Sequence, residues 1–323
     1  ELEELEKEVK SRTNQFLQSE RRYRTLLGTA NDSIISTDKC GCIIYINQKA
    51  QELFEYSKTE FLGKNLTELI PKEIWESALQ ELEKNQAQKL RQRLKTFREI
   101  DLRPGLCKLE AKLVDKLIKQ GFVQVTTPIM MSKGLLQKMS IDASHPLNSQ
   151  IYWLDKNKCL RPMLAPHLYY VLVDLLRLWD KPVKIFEVGP CFRKESHGAQ
   201  HSSEFTMLNL VEMGLPADQR NDRIKELGAR VAETAGVNEY RFEKIASEIY
   251  GDTIDIVAGK DQVEVGSAAM GPHPLDRPWK ITDTWVGIGF GLERLLMVAA
   301  NSSNLAKMGR SLTYLDGIRL NIQ

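Results

Sequence analysis

The sequence has few cysteines, and their arrangement excludes a disulfide framework. Five cysteines occur among 323 residues, and an odd number of scattered thiols is typical of reduced cysteines in an intracellular protein. Cys40 and Cys42 flank a single glycine, which is too tight for an ordinary pair of metal ligands. The others are Cys107, Cys159 and Cys191. We therefore expect all five to be ordinary reduced thiols.

Long apolar runs and an excess of one charge are also missing. No apolar run is long enough to span a bilayer, and the charged N-terminus does not resemble a signal peptide. We expect a cytosolic protein without a membrane partner. The net charge is only +2, so total charge does not indicate a nucleic-acid partner. The length suffices for two domains, and because the chain begins with Glu1 we expect it to be part of a longer protein.

Charge is nevertheless concentrated in one segment. Residues 84–103 contain seven basic and two acidic side chains, a local charge of +5. A basic helix can follow a phosphate backbone. A helix with one solvated face would show the same pattern, so both interpretations remain open.

Two apolar segments joined by a polar loop predict a nucleotide site that is built without a glycine-rich P-loop. The strands Lys184–Phe192 and Glu204–Glu212 are expected to form an antiparallel hairpin that carries Arg193 and Phe205 over one site. An arginine fork suits a phosphate, and an aromatic face suits a purine ring.

Two further segments extend this pattern. Residues 285–297, WVGIGFGLERLLM, predict a strand whose alternate glycines admit a ligand close to the backbone, followed by an amphipathic helix with Glu293 and Arg294 at its start. Residues 121–131, GFVQVTTPIMM, follow a predicted long helix and indicate a strand that Pro128 terminates.

In this order, the three segments resemble the three motifs of class II aminoacyl-tRNA synthetases, and the resemblance covers residues 73–323. The sequence resembles one family more closely than the class as a whole. Six ordered blocks resemble the catalytic domain of pyrrolysyl-tRNA synthetases of the bacterial type: LRPMLAPHLY, GPCFRKES, EFTMLN, YGDTIDI, GFGLERLL and RSLTYLDGIRLNI. The resemblance implies an α+β fold in which helices flank an antiparallel sheet. It also implies that a separate polypeptide supplies the main tRNA-binding module.

The resemblance implies ATP-dependent activation of an amino acid, with transfer to an amber-suppressor tRNA. Arg193 and Arg294 take the catalytic positions, and Glu264 and Ser267 match the positions that hold Mg²⁺ with ATP. The implied ATP-binding residues are Arg193, Glu195, His201, Phe205, Glu264, Ser267 and Arg294. Singly, these residues have ordinary alternatives: a hairpin salt bridge, a core aromatic, or a helix-start charge pair of Glu293 and Arg294. The segment before Glu264 is about two residues longer than the resemblance implies, so we expect a longer loop within residues 255–262.

The implied amino-acid pocket is deep and largely apolar. Its residues are Ala165, Leu168, Tyr169, Leu172, Asn209, Val211, Tyr250, Ser267, Trp285 and Gly287. Asn209 can hold a side-chain carbonyl, and Tyr250 can close over the ligand. We expect no acidic partner for a lysine ammonium, so lysine should be rejected and an acylated lysine such as pyrrolysine accepted. The spacing of Leu168, Tyr169 and Leu172 also fits an ordinary buried helix face.

The N-terminal part resembles the first half of a PAS sensor domain. We divide the chain into a charged helix (1–18), a partial PAS-like segment (19–72), a basic helical linker (73–108) and the catalytic domain (109–323). Short strands are expected at Ile34–Thr37 and Ile43–Ile46. Because half a sheet leaves an unpaired edge, we expect a docking or dimerisation module, or a fusion remnant, rather than a ligand sensor.

The expected partners are tRNA, the separate tRNA-binding polypeptide and a second copy of the chain, paired through residues 109–131. Alternatives remain: a silent synthetase-like scaffold, a ligase that does not use tRNA, and a class II synthetase for another bulky apolar amino acid, of which the phenylalanyl and phosphoseryl types are nearest. Silence is disfavoured because Arg193, Phe205, Glu264, Ser267 and Arg294 are all present.

Overall fold

The structure is a computed structural model that describes residues 34–54, 57–69, 72–194, 202–247 and 249–320. The chain divides into two compact units, residues 1–89 and 90–323. The predicted charged helix at 1–18 lies outside the described residues. No helix among the described residues has the length and apolar character needed to cross a membrane.

The first unit contains a small hairpin that was predicted from the sequence. Strands β1 (Ile35–Thr37) and β2 (Ile43–Ile46) pair antiparallel. Asp38 Oδ1 accepts hydrogen bonds from the backbone nitrogens of Cys40 and Cys42, which closes the turn. Three short helices follow, α1 (Gln48–Phe54), α2 (Lys58–Phe61) and α3 (Leu66–Leu69). Their small core consists of Ile43, Ile46, Ala50 and Phe61.

Helix α4 (Lys72–Thr96) carries most of the basic segment, and a π-helical turn follows it at Phe97–Asp101. The basic side chains are solvent-exposed: Lys84, Lys89, Arg91, Arg93, Lys95, Arg98 and Arg103. Exposure is consistent with both interpretations of this segment.

The second unit is built on a seven-stranded sheet. Its spatial order is β3 (Val123–Gln124), β6 (Val183–Phe192), β7 (Glu204–Met213), β11 (Trp285–Gly291), β10 (Val263–Gly271), β9 (Gly251–Ala258) and β8 (Tyr240–Ser247). Every pair is antiparallel except β3 with β6. The predicted α+β class is confirmed, with one parallel edge strand added. Residues 255–258 lie in β9, and residues 259–262 form a short turn before β10.

The strand predicted to end at Pro128 is present as β3, although it is short. A second strand that was not predicted, β4 (Met130–Ser132), follows the proline and pairs with β5 (Lys158–Leu160) in a separate sheet. Pro128 lacks an N–H for a ladder. The Arg161 guanidinium also donates a hydrogen bond to the Thr127 carbonyl at 3.2 Å, so this acceptor is not used in strand pairing.

Helices cover both faces of the sheet. The main helices are α5 (Gly105–Lys119), α6 (Lys133–Lys138), α7 (Ala165–Leu178), α8 (Arg220–Thr234) and α9 (Leu292–Ala299). Single-turn 3-10 helices lie at Pro146–Gln150, Ala217–Gln219, Pro274–Trp279 and Leu305–Lys307, and a small hairpin, β12 (Tyr314–Leu315) with β13 (Ile318–Arg319), follows. Buried side chains separate into two cores, one on each face.

The strand sequences explain this separation, because successive side chains of a strand point to opposite faces. On β7, Leu208 and Leu210 belong to the core beneath α5 and α8, whereas Val211 and Met213 belong to the core beneath α7. On β11, Val286 and Ile288 join the first core and Trp285 joins the second.

Two glycines in helices should respond oppositely to the same substitution. A Cβ added at Gly228 in α8 would lie 2.9 Å from both Ile256 Cδ1 and Phe242 Cε1, whereas one at Gly134 in α6 would meet nothing within 4 Å. Gly228→Ala should lower the free energy of unfolding by about 1–3 kcal/mol through overpacking. Gly134→Ala should raise it by up to about 1 kcal/mol through helix propensity. Urea unfolding of both variants tests this, and a stabilising Gly228→Ala would contradict the close packing.

Candidate active site

A cavity of about 440 Å³ opens on the α7 face of the sheet. Its lining includes every predicted site residue that the structure describes: Ala165, Leu168, Tyr169, Leu172, Arg193, Phe205, Asn209, Val211, Tyr250, Glu264, Ser267, Trp285, Gly287 and Arg294. Glu195 and His201, which were predicted from the resemblance, lie outside the described residues.

The register of the sheet explains how distant segments reach this cavity. Asn209 is paired with Gly289, Gly289 with Ser267, and Ser267 with Asp255, so these four residues form a row across β7, β11, β10 and β9. Cross-strand partners lie on the same face. Gly289, in the middle of the row, has no side chain, so the floor of the cavity is open at this position. A Cβ there would lie 3.3 Å from Met207 Cε.

A β-bulge brings Glu264 and Ser267 onto the same face. Residues three positions apart on a regular strand point to opposite faces. The ladder between β10 and β9 shifts between Glu264 and Gly266, so that Glu264 pairs with Val257 while Ser267 pairs with Asp255. The extra residue, Val265, turns into the opposite core. The bulge thus places a carboxylate and a hydroxyl together at the cavity.

The β6–β7 hairpin forms one wall, as predicted. Its ladder runs without a shift from Val183–Met213 to Phe192–Glu204. The Arg193 guanidinium lies 5.3 Å from the centre of the Phe205 ring, a cation–π contact. Arg193 Nε also donates to the Pro162 carbonyl at 2.9 Å, which fixes the direction of the guanidinium.

Arg294 and Glu264 face each other on the opposite wall. Arg294 Nη1 lies 3.4 Å from Glu264 Oε2 and donates to the Glu264 carbonyl at 3.2 Å. The predicted alternative, a charge pair of Glu293 and Arg294, is wrong. Glu293 turns inward, where both of its carboxylate oxygens accept from the Thr206 backbone N–H at 2.9 Å.

Two acidic residues, Asp255 and Glu293, were assigned no role at the site by the sequence analysis. Asp255 lines the cavity and accepts a hydrogen bond from Ser267 Oγ at 2.6 Å. It lies three strand spacings from Asn209, roughly 14 Å. The acid nearest to Asn209 in the register is Glu187 on β6, which is paired with Arg161. Alternation in YGDTIDI gives the signal, because Thr253 and Asp255 share a face between Ile254 and Ile256.

The second is Glu293, which is 2% exposed. Burial raises the pKa of the Glu293 carboxyl above its usual value, although the Thr206 hydrogen bonds and the charge of Arg310 oppose the shift. Arg310 Nη1 donates to Thr206 Oγ1 at 2.6 Å and lies 3.9 Å from Glu293 Oε1. The pairing therefore ties the start of α9 to β7 beside Phe205.

A buried ion pair supports the hairpin on the same face as the cavity, because Glu187 is the cross-strand partner of Asn209. Arg161 and Glu187 are 2% and 1% exposed and lie 2.7 Å apart. Arg161 Nε also donates to the Pro190 carbonyl, and Thr127 Oγ1 donates to Glu187 Oε2. Burial and the charge of Arg161 lower the pKa of His167, which contacts Thr127. Since Pro162 follows directly, this network fixes the segment that orients Arg193.

The end of the cavity that was predicted to take the amino acid is aromatic and apolar. Leu168, Tyr169 and Leu172 are buried on α7, as on an ordinary helix face, and they also line the cavity. Tyr169 contacts Trp285 edge to face, with ring centres 5.9 Å apart. Tyr250 contacts the same indole at 6.3 Å.

The donor set fits ATP and a hard cation. Two arginines and an aromatic ring line one end of the cavity beside the oxygens of Glu264 and Ser267. Because the Ser267 proton is directed to Asp255, the lone pairs of the hydroxyl remain available to a cation. Mg²⁺ bound with phosphates needs only one or two protein oxygens.

Comparison with known proteins defines the class. The family described as tRNA synthetases class II core domain (F) matches residues 96–316, which is more than half of the chain. A PAS fold family matches residues 21–114, so this match continues beyond the predicted PAS-like segment and overlaps the synthetase core.

Curated relatives are more distant. The phenylalanine–tRNA ligase alpha subunit of Methanothermobacter thermautotrophicus is 25% identical over 52% of this chain and 33% of its own length. The lysine–tRNA ligase of Sulfolobus acidocaldarius is 28% identical over 45% of this chain and 29% of its own length. The chain thus spans about a third or less of these relatives.

Solved structures lie closer. A crystal structure of pyrrolysyl-tRNA synthetase from Desulfitobacterium hafniense has a TM-score of 0.71 and 50% identity, covering 77% of this chain and 88% of that one. A second structure, of PylSc from the same organism, has a TM-score of 0.69 at 50% identity, covering 76% and 87%. The chain therefore belongs to the pyrrolysyl-tRNA synthetase family of class II aminoacyl-tRNA synthetases.

The buried carboxyl of Glu293 predicts a pH dependence of stability. Because its pKa is raised in the folded state, the folded protein holds the proton more tightly than the unfolded chain does. The free energy of unfolding should fall as pH rises from 4.5 through the raised pKa. In Glu293→Gln, the free energy of unfolding should fall less over this pH range. In Glu239→Gln, at an exposed position, it should fall as in the wild type. Urea unfolding across pH 4–8 measures the difference, and identical profiles for Glu293→Gln and the wild type would contradict the assignment.

Proposed function

We propose that the chain is a pyrrolysine–tRNA ligase, which activates pyrrolysine with ATP and transfers it to an amber-suppressor tRNA. The observation that carries this proposal is the cavity, in which Arg193, Phe205 and Arg294 share a continuous lining with an apolar chamber around Asn209. A nucleotide and a bulky amino acid can therefore occupy one space, as a reaction between them requires.

In the first step, a carboxylate oxygen of the amino acid attacks the α-phosphorus of ATP. The bond to pyrophosphate breaks, and the pair of electrons leaves with it. The protein contributes position and charge. Arg193 neutralises the carboxylate and α-phosphate, because its fork can engage both anions, and Arg294 binds the outer phosphates. Mg²⁺, held by Glu264 and Ser267, would supply positive charge to the phosphates.

In the second step, a 3′-terminal hydroxyl of tRNA attacks the activated carbonyl, and AMP leaves.

Nucleotide binding would change the partner of Arg294. In the structure Arg294 pairs with Glu264, and on binding ATP it would pair with phosphate instead. The ring of Phe205 already carries the Arg193 guanidinium on one side, which leaves its other side for adenine.

Selection of the amino acid follows from the chamber. Leu168, Leu172, Val211 and Trp285 offer apolar surface to a bulky acyl group, at about 25 cal/mol per Å² covered. Asn209 is 9% exposed and lines the floor, where its amide can bind the carbonyl of an acylated lysine. A free lysine ammonium would lose its water there, and the carboxylate opposite Asn209, that of Glu187, is already paired with Arg161, so burial of the ammonium is costly.

A homodimer and a separate tRNA-binding polypeptide complete the proposal. The segment expected to pair the two copies exposes apolar side chains, namely Ile118, Val123, Ile129 and Met130. Exposed apolar groups clustered on one short segment favour an interface. The exposed basic side chains of residues 84–103 suit the phosphate backbone of tRNA.

ATP–pyrophosphate exchange tests the activity with pyrrolysine and Nε-acyl-lysines, against lysine and phenylalanine. We expect exchange with the acylated lysines only. Arg193→Ala should abolish it, while Lys194→Ala, which removes the adjacent exposed cation, should leave it intact. Folding of both variants is checked by circular dichroism. Absence of exchange with every acyl-lysine would refute the proposal, and exchange with phenylalanine instead would assign a different synthetase.

The amide of Asn209 should act only on substrates that carry a side-chain carbonyl. Asn209→Ala should raise KM for an acyl-lysine about 5- to 30-fold, which corresponds to a lost hydrogen bond of about 1–2 kcal/mol. KM for ATP should stay unchanged, because the nucleotide residues lie on other parts of the cavity. Steady-state exchange at saturating ATP measures this, and an unchanged KM for the acyl-lysine would count against the assigned role.

A further inference from the structure

We propose that Asp276 is a positioning residue that sets the specificity of the amino-acid pocket by holding its aromatic walls in place. This inference rests on the proposed function, since it concerns the same cavity. Asp276 is 2% exposed and lies in the 3-10 helix Pro274–Trp279, outside the cavity lining. Neither the motifs nor the reaction steps require it.

One carboxylate connects two walls that come from separate parts of the chain. Asp276 Oδ1 accepts a hydrogen bond from the Tyr169 hydroxyl on α7 at 3.0 Å. Its other oxygen, Oδ2, accepts from the indole Nε1 of Trp285 on β11 at 2.9 Å. Tyr169 and Trp285 both line the chamber, so the direction of each ring depends on the same group.

The same turn reaches a third wall, Tyr250. Asp276 Oδ2 also accepts from the His273 backbone N–H at 2.6 Å. His273 Nδ1 accepts from the Leu275 backbone N–H, which assigns the ring proton to Nε2. That Nε2 then donates to the Tyr250 carbonyl at 2.8 Å. Asp276 therefore shapes the turn that holds the residue expected to close over the ligand.

Packing alone does not fix the two polar atoms. Tyr169 stacks on Trp279 with ring centres 5.3 Å apart, and its hydroxyl has hydrogen bonds with both Asp276 and the Tyr250 side chain. The Trp285 indole crosses Gly271 so closely that a Cβ there would lie 1.8 Å from Nε1. A buried hydroxyl or indole N–H without an acceptor is costly. Without Asp276, both rings would turn to find other partners, and the chamber would change shape.

The nucleotide end is independent of this group. Arg193 contacts the Pro162 carbonyl and the Phe205 ring. Glu264 pairs with Arg294. Asp276 takes part in none of these contacts. A positioning role for Asp276 therefore predicts an effect on the amino acid that is separable from any effect on ATP. A role in general stability would affect both alike.

The test is Asp276→Asn, which keeps the size of the side chain but turns one acceptor into a donor facing Tyr169 or Trp285. We expect KM for the amino acid in ATP–pyrophosphate exchange to rise about 10- to 100-fold. KM for ATP should change less than about threefold. Asp283→Asn is the matched control, because Asp283 precedes β11 and pairs with Lys181. It should retain both wild-type values.

The amino acid used is whichever one the wild type activates best in the panel above. An Asp276→Asn variant with unchanged KM for that amino acid, or with equal increases for amino acid and ATP, overturns the inference and leaves the proposed function standing. Wild-type inactivity with every amino acid overturns both. If Asp276→Asn does not fold, Tyr169→Phe removes only the hydroxyl and should raise KM for the amino acid about 3- to 10-fold. An unchanged KM in that variant also overturns the inference.

Discussion

The cavity depends on one constraint, the alternation of side chains along strands whose register is fixed by their antiparallel ladders. On β7, the residues that face the cavity alternate with Leu208 and Leu210, which face the opposite core. A shift of one residue would bury Asn209 in that core and expose the leucines. Ordinary hydrophobic burial on one face of the sheet therefore maintains the polar arrangement on the other face.

The departure from alternation in β10 is as important as the rule. A regular β10 would direct Glu264 and Ser267 to opposite faces, and the bulge at Val265 places both at the cavity. Buried polar groups then fix the surrounding backbone. Arg161 and Glu187 support the hairpin beside Asn209, and Glu293 ties α9 to the start of β7. Each would be costly to bury alone, so each has its partners within hydrogen-bond distance.

Much of this could be predicted from the sequence. The hairpin, the glycine-interrupted strand and the helix after it depend on local periodicity and on the order of motifs, and these features are present where they were expected. Strand β4, after Pro128, was not predicted, and the backbone between β3 and β4 is held by Arg161, more than 30 positions away. Asp276 gave no local signal, and the inward pairing of Glu293 could not be predicted from its neighbours at the start of the helix. Their roles follow from hydrogen-bond partners that are 107 and 87 positions distant.

Gly287 and Gly289 have a consequence for how this chamber can change. Part of the cavity floor is backbone without side chains, because these two residues are glycines. A Cβ at Gly287 would lie 3.3 Å from the Trp285 ring and 3.6 Å from Val211. A methyl group there would take its volume from the ligand, and the Trp285 ring would have to shift by a few tenths of an ångström to admit it. Evolution can therefore narrow the range of accepted amino acids in steps of one carbon atom, without replacing any residue that the reaction uses.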